Sequence, residues 1–334
     1  MKWHPETVQQ QVQPLSFDTV DEAFAPELDA YNEYYGLDFE KSVEGVSHNI
    51  GYFEADEFRI VAHVFCLQDA KGTAFIQHGY YDHVGLYNHL IKHCLEQGYN
   101  VFAYDLPGHG LSTGDRASIT SFKQYDAVFS DALEKLQTHM PGPIVVLGQS
   151  TGGAVIINYL LSRQINRHDS PFAQIYLIAP LVRPVAWRRN LALYYSVRPF
   201  IKQLKRTFAQ NSHNTEFLNF LSHDDPLQPL FLKTKWVGAL RKWIRYIESV
   251  QPIDVDIKVI QGTEDGTVDY RHNMKILEQK FVGFDVHFIE QGRHQLVNEE
   301  PQKLAQLFAA MSPLVSTKAA PVEKPAKTLS VNKA

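Results

Sequence analysis

Short apolar runs alternating with amphipathic stretches predict an α/β domain, with a mostly parallel central sheet and helices on both faces. Three observations carry that reading. Runs such as Thr73-Ala-Phe-Ile-Gln77, Asn100-Val-Phe-Ala-Tyr-Asp105 and Gln174-Ile-Tyr-Leu-Ile-Ala179 are too short for helices and too apolar for loops, as strands buried on both faces require. One such run, Pro143-Ile-Val-Val-Leu-Gly148, passes through Gln149-Ser150-Thr151-Gly152-Gly153 directly into a helical stretch, Ala154-Val-Ile-Ile-Asn-Tyr-Leu-Leu161. The chain has 334 residues, 44% hydrophobic and 21% charged, which suits one large α/β domain carrying an insertion.

The same numbers exclude several classes. A net charge of −5 argues against a general nucleic-acid binder, so no nucleic-acid partner is expected. The two cysteines, Cys66 and Cys94, fall in a strand and a helix facing the core and read as buried thiols, with neither a disulfide framework nor zinc spacing. The first residues lack an apolar leader segment and no run reaches the length of a membrane span, which makes the cytoplasm the expected location.

In chain order, residues 1–46 are polar and acidic with scattered aromatics (Phe17, Phe24, Tyr31, Tyr34, Tyr35, Phe39) and read as an N-terminal extension of one or two short helices, without chemistry of its own. Strands follow over Ile50-Gly-Tyr-Phe-Glu54 and Phe58-Arg-Ile-Val-Ala-His-Val-Phe65, with a hairpin break at Ala55-Asp56-Glu57. After the 73–77 strand comes Gln77-His78-Gly79-Tyr80-Tyr81-Asp82-His83, then a helix with Leu86, Leu90, Ile91, Cys94 and Leu95 inward. Loops of this kind line the carboxyl edge of a parallel sheet, where ligands bind. Although His78, Asp82 and His83 are metal-ligand types, no second cluster with matching spacing accompanies them, so no metal is expected. The strand from Asn100 ends in Leu106-Pro-Gly-His-Gly110, where His109 reads as a turn-stabilising side chain. Ser121 reads as the N-cap of a helix burying Phe122, Tyr125, Val128, Phe129, Ala132, Leu133 and Leu136.

Between Pro180 and Pro252 the alternation stops. This stretch is aromatic, helical in tendency and without a clear strand, as a cap over the carboxyl edge would be. Its first part carries Arg183, Arg188, Arg189, Arg198, Lys202, Lys205 and Arg206 with no acidic residue before Glu216. That pattern fits either a solvated helical face or a basic surface for anionic membrane. Strands resume at Ile257-Lys-Val-Ile260 and Val286-His-Phe-Ile289, each followed by a helix, the last burying Leu304, Leu307, Phe308 and Met311. The expected layout is thus an extension over 1–46, core over 47–180, a helical cap over 181–252, core again over 253–312 and a disordered basic tail over 313–334.

Gly-x-Ser-x-Gly between a strand and a helix places Ser150 on a strained turn with its hydroxyl free. A serine hydroxyl is a poor nucleophile near neutral pH and needs a base, which in turn needs an orienting acid. His294, after the last strand and beside Gly292, is the expected base. Asp265, directly off the preceding strand in Gln261-Gly-Thr-Glu-Asp265, is the expected acid, ahead of Glu264 and Asp269. The histidines His213, His223 and His272 read as surface residues. Backbone N–H groups of Thr151 and Tyr80 are the expected donors to a developing oxyanion. No organic cofactor is called for.

These motifs resemble the serine-hydrolase branch of the α/β-hydrolase superfamily, nearest to monoacylglycerol lipases and bacterial lysophospholipases, over roughly residues 45–312. The likeness rests on His78-Gly79 with Asp82-His83, on Asp105-Leu-Pro-Gly-His-Gly-Leu-Ser112 and on Gly148-Gln-Ser-Thr-Gly-Gly153, where Gln149 and Thr151 replace the more usual His and Met. It implies hydrolysis of a small single-chain acyl ester beneath a helical cap, without metal or cofactor. Epoxide or haloalkane chemistry would want an aspartate where Ser150 stands. A peptidase that removes N-terminal residues, a small-ester esterase and a catalytically silent lipid- or partner-binding protein are the alternatives.

Overall fold

The computed structural model of the chain describes residues 3–17, 24–140 and 142–315. The expected C-terminal tail falls, beyond Val315, outside the described residues. In chain order the elements are α1 (Pro5–Gln11), β1 (Gln13–Pro14), α2 (Pro26–Tyr35), β2 (Val46–Ala55), β3 (Phe58–Leu67), β4 (Thr73–Gln77), α3 (Asn88–Glu96), β5 (Asn100–Tyr104), α4 (Phe122–His139), β6 (Ile144–Gln149) and α5 (Thr151–Ser162). They continue with β7 (Phe172–Ile178), α6 (Trp187–Val197), β8 (Gln203–Lys205), α7 (Thr215–Asn219), β9 (Phe231–Lys233), α8 (Thr234–Ser249), β10 (Ile253–Gly262), α9 (Tyr270–Lys280), β11 (Phe281–Ile289) and α10 (Pro301–Ala310).

The main sheet runs β1-β2-β3-β5-β4-β6-β7-β10-β11. β2 and β3 form the expected hairpin, turning at Asp56 with φ 53°, and β3 meets β5 antiparallel; from β5 to β11 every pairing is parallel. Parallel strands need helical crossovers, and those helices cover both faces. β4 and β6 sit mid-sheet and fully buried, apolar but for Thr73, Gln77 and Gln149 at their ends. On one face α4 buries all seven predicted positions, and its start is capped by Ser121, whose hydroxyl accepts from the Lys123 N–H at 3.2 Å. On the other, α3 lays Leu90, Ile91 and Cys94 against Val101 and Ile76 in one apolar cluster.

Two expectations about these elements need correction. The stretch between β7 and β10 contains an antiparallel pair, β8 with β9; strands of three residues are too short to leave an alternation in sequence. Cys66 is half-buried rather than buried, because it lies near the end of β3 where the sheet opens to solvent. The N-terminal extension also adds β1 parallel to β2, and its α2 packs Tyr31 and Tyr35 into the core. Among the described residues no helix is long and apolar enough to cross a membrane.

Candidate active site

β6 ends at Gln149 and α5 begins at Thr151, which leaves Ser150 alone on the turn with φ 52° and ψ −113°. Positive φ strains a residue with a side chain, a cost of about 1–3 kcal/mol that persists only where the surroundings enforce it. Here Ser150 donates its N–H to Ile178 O (2.9 Å), while its own carbonyl receives Ala154 N (3.1 Å) and Leu181 N (3.0 Å). The flanking glycines are a steric requirement. A Cβ on Gly148 would lie 2.6 Å from the Gly152 carbonyl carbon, and one on Gly152 would lie 2.2 Å from Gln77 O.

β10 and β11 deliver two more side chains to the same edge. His294 Nδ1 is 2.8 Å from Asp265 Oδ2, and His294 Nε2 is 2.9 Å from Ser150 Oγ. An ionised carboxylate only accepts, so the Nδ1 proton points at Asp265 and Nε2 is left to accept from the serine hydroxyl. Asp265 is pinned by Thr267 N (2.8 Å), Val268 N (3.0 Å) and Gln261 Nε2 (3.0 Å). Burial opposes its charge, but the His294 imidazole and those donors hold its carboxyl below the usual range. For His294 burial again works against charge; the Asp265 carboxylate, with Asp82 behind it, outweighs burial and lifts the imidazole above its ordinary value. The rival acids lie elsewhere: Glu264 is exposed and faces His213 at 3.8 Å, and Asp269 caps α9 by accepting from His272 N.

The two expected oxyanion donors sit on the loops next to Ser150. Thr151 N–H is the first of α5 and Tyr80 N–H follows Gly79; neither donates to a protein acceptor among the described residues. Gly79 packs so closely that a Cβ there would come within 3.3 Å of Ser150 Cβ. Tyr80 is braced by its hydroxyl on Ala117 O (2.7 Å) and by its ring, 3.7 Å from that of Trp236 on α8.

Some residues at the site escape sequence reasoning. Gln149 Nε2 donates to Gln295 Oε1 (2.7 Å), and Gln295 Nε2 donates to both oxygens of Asp82 (3.0 and 3.1 Å). Asp82 also receives Tyr87 Oη (3.0 Å), which in turn accepts Gly79 N (2.8 Å). The serine turn, the histidine loop and the Gly79 loop are therefore tied by one buried chain. Burial raises the Asp82 carboxyl, although those donors, Arg206 and His294 oppose the rise. His78, Asp82 and His83 are separately engaged: His78 Nδ1 donates to Gly79 O and its Nε2 accepts Leu106 N, while His83 faces Asp225 at 3.0 Å. Among the described residues no group of three His, Cys, Asp or Glu is placed to hold a metal ion. His109 donates from Nδ1 to Pro107 O at 2.9 Å, and burial pushes its imidazole down to about 3, so it stays neutral within its turn.

The cap residues touch this edge directly. Gln295 N donates to Asn211 O (2.8 Å), Arg293 Nη1 to Ser212 O (2.9 Å), and buried Glu299 receives the N–H groups of both Arg293 and His213 (2.9 Å each). His213 and His272, expected at the surface, are half-buried because each leans on a carboxylate, Glu299 at 3.0 Å and Glu248 at 3.3 Å.

A mostly parallel sheet with a strained serine turn, a histidine and an acid on successive loops defines an α/β-hydrolase. The chain belongs to the family described as Serine aminopeptidase, S33, which matches residues 68–301. Monoglyceride lipase of Homo sapiens is 34% identical over 113 residues, 34% of this chain and 36% of that protein, so the match spans about a third of its length. A monoglyceride lipase homolog of Monkeypox virus is 24% identical over 237 residues, 69% of this chain and 83% of the viral one. A soluble variant of monoglyceride lipase from Saccharomyces cerevisiae, solved with a substrate analog, superposes with a TM-score of 0.67 at 16% identity, covering 79% of this chain and 93% of that one. That likeness carries the fold alone.

Proposed function

We propose that the chain is a serine carboxylic-ester hydrolase for single-chain acyl esters, monoacylglycerol or lysophospholipid, working through an acyl-Ser150 intermediate. The observation that carries the reading is the unbroken chain from Asp265 through His294 to Ser150 Oγ, set against two N–H groups without a protein acceptor among the described residues. Ser150 Oγ adds to the ester carbonyl as His294 Nε2 takes its proton, and Asp265 stabilises the imidazolium that results. The N–H groups of Tyr80 and Thr151 receive the oxyanion. His294 then returns the proton to the leaving alcohol, and water repeats the sequence on the acyl-enzyme. Relatives named monoglyceride lipase and phospholipase support the ester class.

The family description favours a second reading, removal of N-terminal residues from peptides. A free amine would want an acid near Ser150. The buried candidates, Asp82 and Asp265, have their oxygens committed to Gln295, Tyr87, His294 and backbone donors. Rates of wild type and Ser150→Ala on a monoacylglycerol, a lysophospholipid, short p-nitrophenyl esters and an aminoacyl anilide separate the two. Ser150-dependent preference for the lipids is expected; turnover of the anilide alone would overturn it.

The cap's outer face supports a membrane surface as the working environment. Phe200 is 87% exposed and Leu193 54%, amid Arg188, Arg189, Arg198 and Lys202, all exposed. Apolar side chains among cations suit an anionic interface. Flotation with anionic vesicles but not neutral ones is expected; equal absence from both would remove this reading.

A further inference from the structure

The cap brings one cation against the Gly79 loop that the reaction above does not use. Arg206, just past β8, sets its guanidinium 4.1 Å from the ring centre of Tyr81 and 4.5 Å from that of Phe208. Its Nη1 donates to Gln228 Oε1 (2.6 Å) and to Pro229 O (3.4 Å). Its Nε and Nη2 donate to no protein acceptor among the described residues, and none of their carboxylates lies within 4.0 Å. Two other cap cations have carboxylate partners: Arg183 meets Glu248 at 2.6 Å and Lys233 meets Asp115 at 3.3 Å. Burial lowers the Arg206 guanidinium below its ordinary value, and the fields of Tyr81, Asp82 and Asp225 offset only part of that. Those two carboxylates cannot fill its fork, because Asp82 is taken by Tyr87 and Gln295, and Asp225 by Tyr35, His83 and Gln228.

Position gives this unfilled fork its meaning. Tyr81 directly follows the expected oxyanion donor, and its ring centre is 4.1 Å from that of Tyr80. Its φ of 72° is strained for an aromatic residue. Contacts with the Tyr80 ring and the Arg206 guanidinium hold it there, so the strain and the cation meet on the loop that reaches Ser150 through Gly79. An acyl chain carries no charge near its ester, and an anion met here would belong to the alcohol half.

We propose that Arg206, seated on Tyr81, is an anion subsite that takes the phosphate of a single-chain lysophospholipid, and so selects it over neutral monoacylglycerol. A planar guanidinium fork matches phosphate oxygens two at a time, which an ammonium cannot do. The inference rests on the ester-hydrolase reading at Ser150.

The test uses 1-hexanoylglycerol and 1-hexanoylglycerol 3-phosphate, dissolved as monomers so that no lipid surface contributes. Wild type is expected to favour the phosphate. Arg206→Gln should lower the phosphate-to-neutral ratio of kcat/KM about tenfold or more, mainly through KM, and Arg206→Lys should recover part of it. A double Arg188→Gln, Arg189→Gln variant reports general attraction by the basic face. On wild type alone, glycerol 3-phosphate should compete with the neutral ester where glycerol does not. An unmoved ratio, an equal loss on both esters or an equal shift in the double variant would overturn the subsite. If wild type cleaves neither ester through Ser150, the ester-hydrolase reading itself falls.

Discussion

At the carboxyl edge of the sheet, buried polar side chains are bonded largely to one another, whereas the cap's outer face leaves apolar side chains in water and cations unpaired. Ser150, His294 and Asp265 are 7%, 4% and 7% exposed, against 87% for Phe200 on the cap. The first region sets Asp265, His294 and Ser150 at hydrogen-bond distance, as proton transfer requires. The second presents exposed apolar side chains among cations, the surface proposed above to meet an anionic interface. The contrast teaches that geometry resides in the loops and adaptability in the insertion above them, and each can be attacked separately.

The hardest blow to the geometric region is Asp265→Asn, expected to cost about four orders of magnitude in kcat through loss of the imidazole's tautomer and counter-charge. Its pH dependence has a definite sign. In the proposed mechanism the base is neutral His294, so activity should fall as pH drops through its pKa, which Asp265 holds above the ordinary value against burial. Without the carboxylate, burial dominates and the pKa drops. The acid limb of kcat/KM should therefore move to lower pH beneath a much lower plateau, and a limb that stayed in place would deny Asp265 its role.

Gln295→Leu tests whether the three loops are tied as a unit. It cuts Gln149 from Asp82 and leaves Gln149 Nε2 buried without an acceptor. A loss of about 10- to 100-fold in kcat with little change in KM is expected, as for a small misplacement of reacting groups. Adding Gln149→Leu should cost less than its separate effect, because removing both partners of a buried bond is gentler than removing one. Full additivity would show the two glutamines to be uncoupled.

Asp225→Asn probes the seam between the regions. Asp225 accepts from Tyr35 Oη (2.7 Å) and Gln228 Nε2 (2.7 Å) and faces His83 Nε2 (3.0 Å), so it joins the N-terminal extension, the Gly79 loop and the cap. Burial would raise its carboxyl, but His83 and these bonds bring it down to about 2. A depressed carboxylate stabilises the fold above its ordinary pKa, here by about 2 kcal/mol, and the benefit fades as pH falls toward 2. The variant's Tm should lie a few degrees below wild type at pH 7, with the gap closing in acid. A gap independent of pH would mean that packing, not charge, is at stake.

Local pattern explains what was legible in the sequence. The run 144–149 with glycines at 148 and 152 marks the serine turn because sterics forbid anything larger, and loops following 257–260 and 286–289 are where a parallel sheet must deliver further groups. Gln295, bonded to Gln149, and Tyr35 and His83, bonded to Asp225, are 146, 190 and 142 residues away in the chain, and no local period encodes such pairs. Tyr35 was invisible for that reason: the extension looked inert in sequence although it reaches the seam. Arg206 read as one cation among seven, and only its seat on Tyr81 sets it apart.

The smallest effect on the protein itself belongs to the cap's outer face, which makes it the cleanest probe of the contrast. Phe200 and Leu193 are largely exposed, so replacing both by Ser should change stability by no more than about 0.5 kcal/mol per site and leave turnover of a short soluble ester within about twofold. Binding to anionic vesicles should nonetheless drop, because each apolar group transferred into the interface contributes roughly 25 cal/mol per Å², and the neighbouring arginines attract only over about a Debye length. Activity on a monoacylglycerol dispersed in such vesicles should fall with binding, while the rate on monomeric substrate holds. If vesicle binding survives the double change but disappears in moderate salt, attraction by the cations suffices and the exposed apolar side chains serve another purpose. If the soluble-ester rate collapses as well, the cap's outer face is mechanically joined to the loops beneath it, and the division of labour between the two regions is wrong.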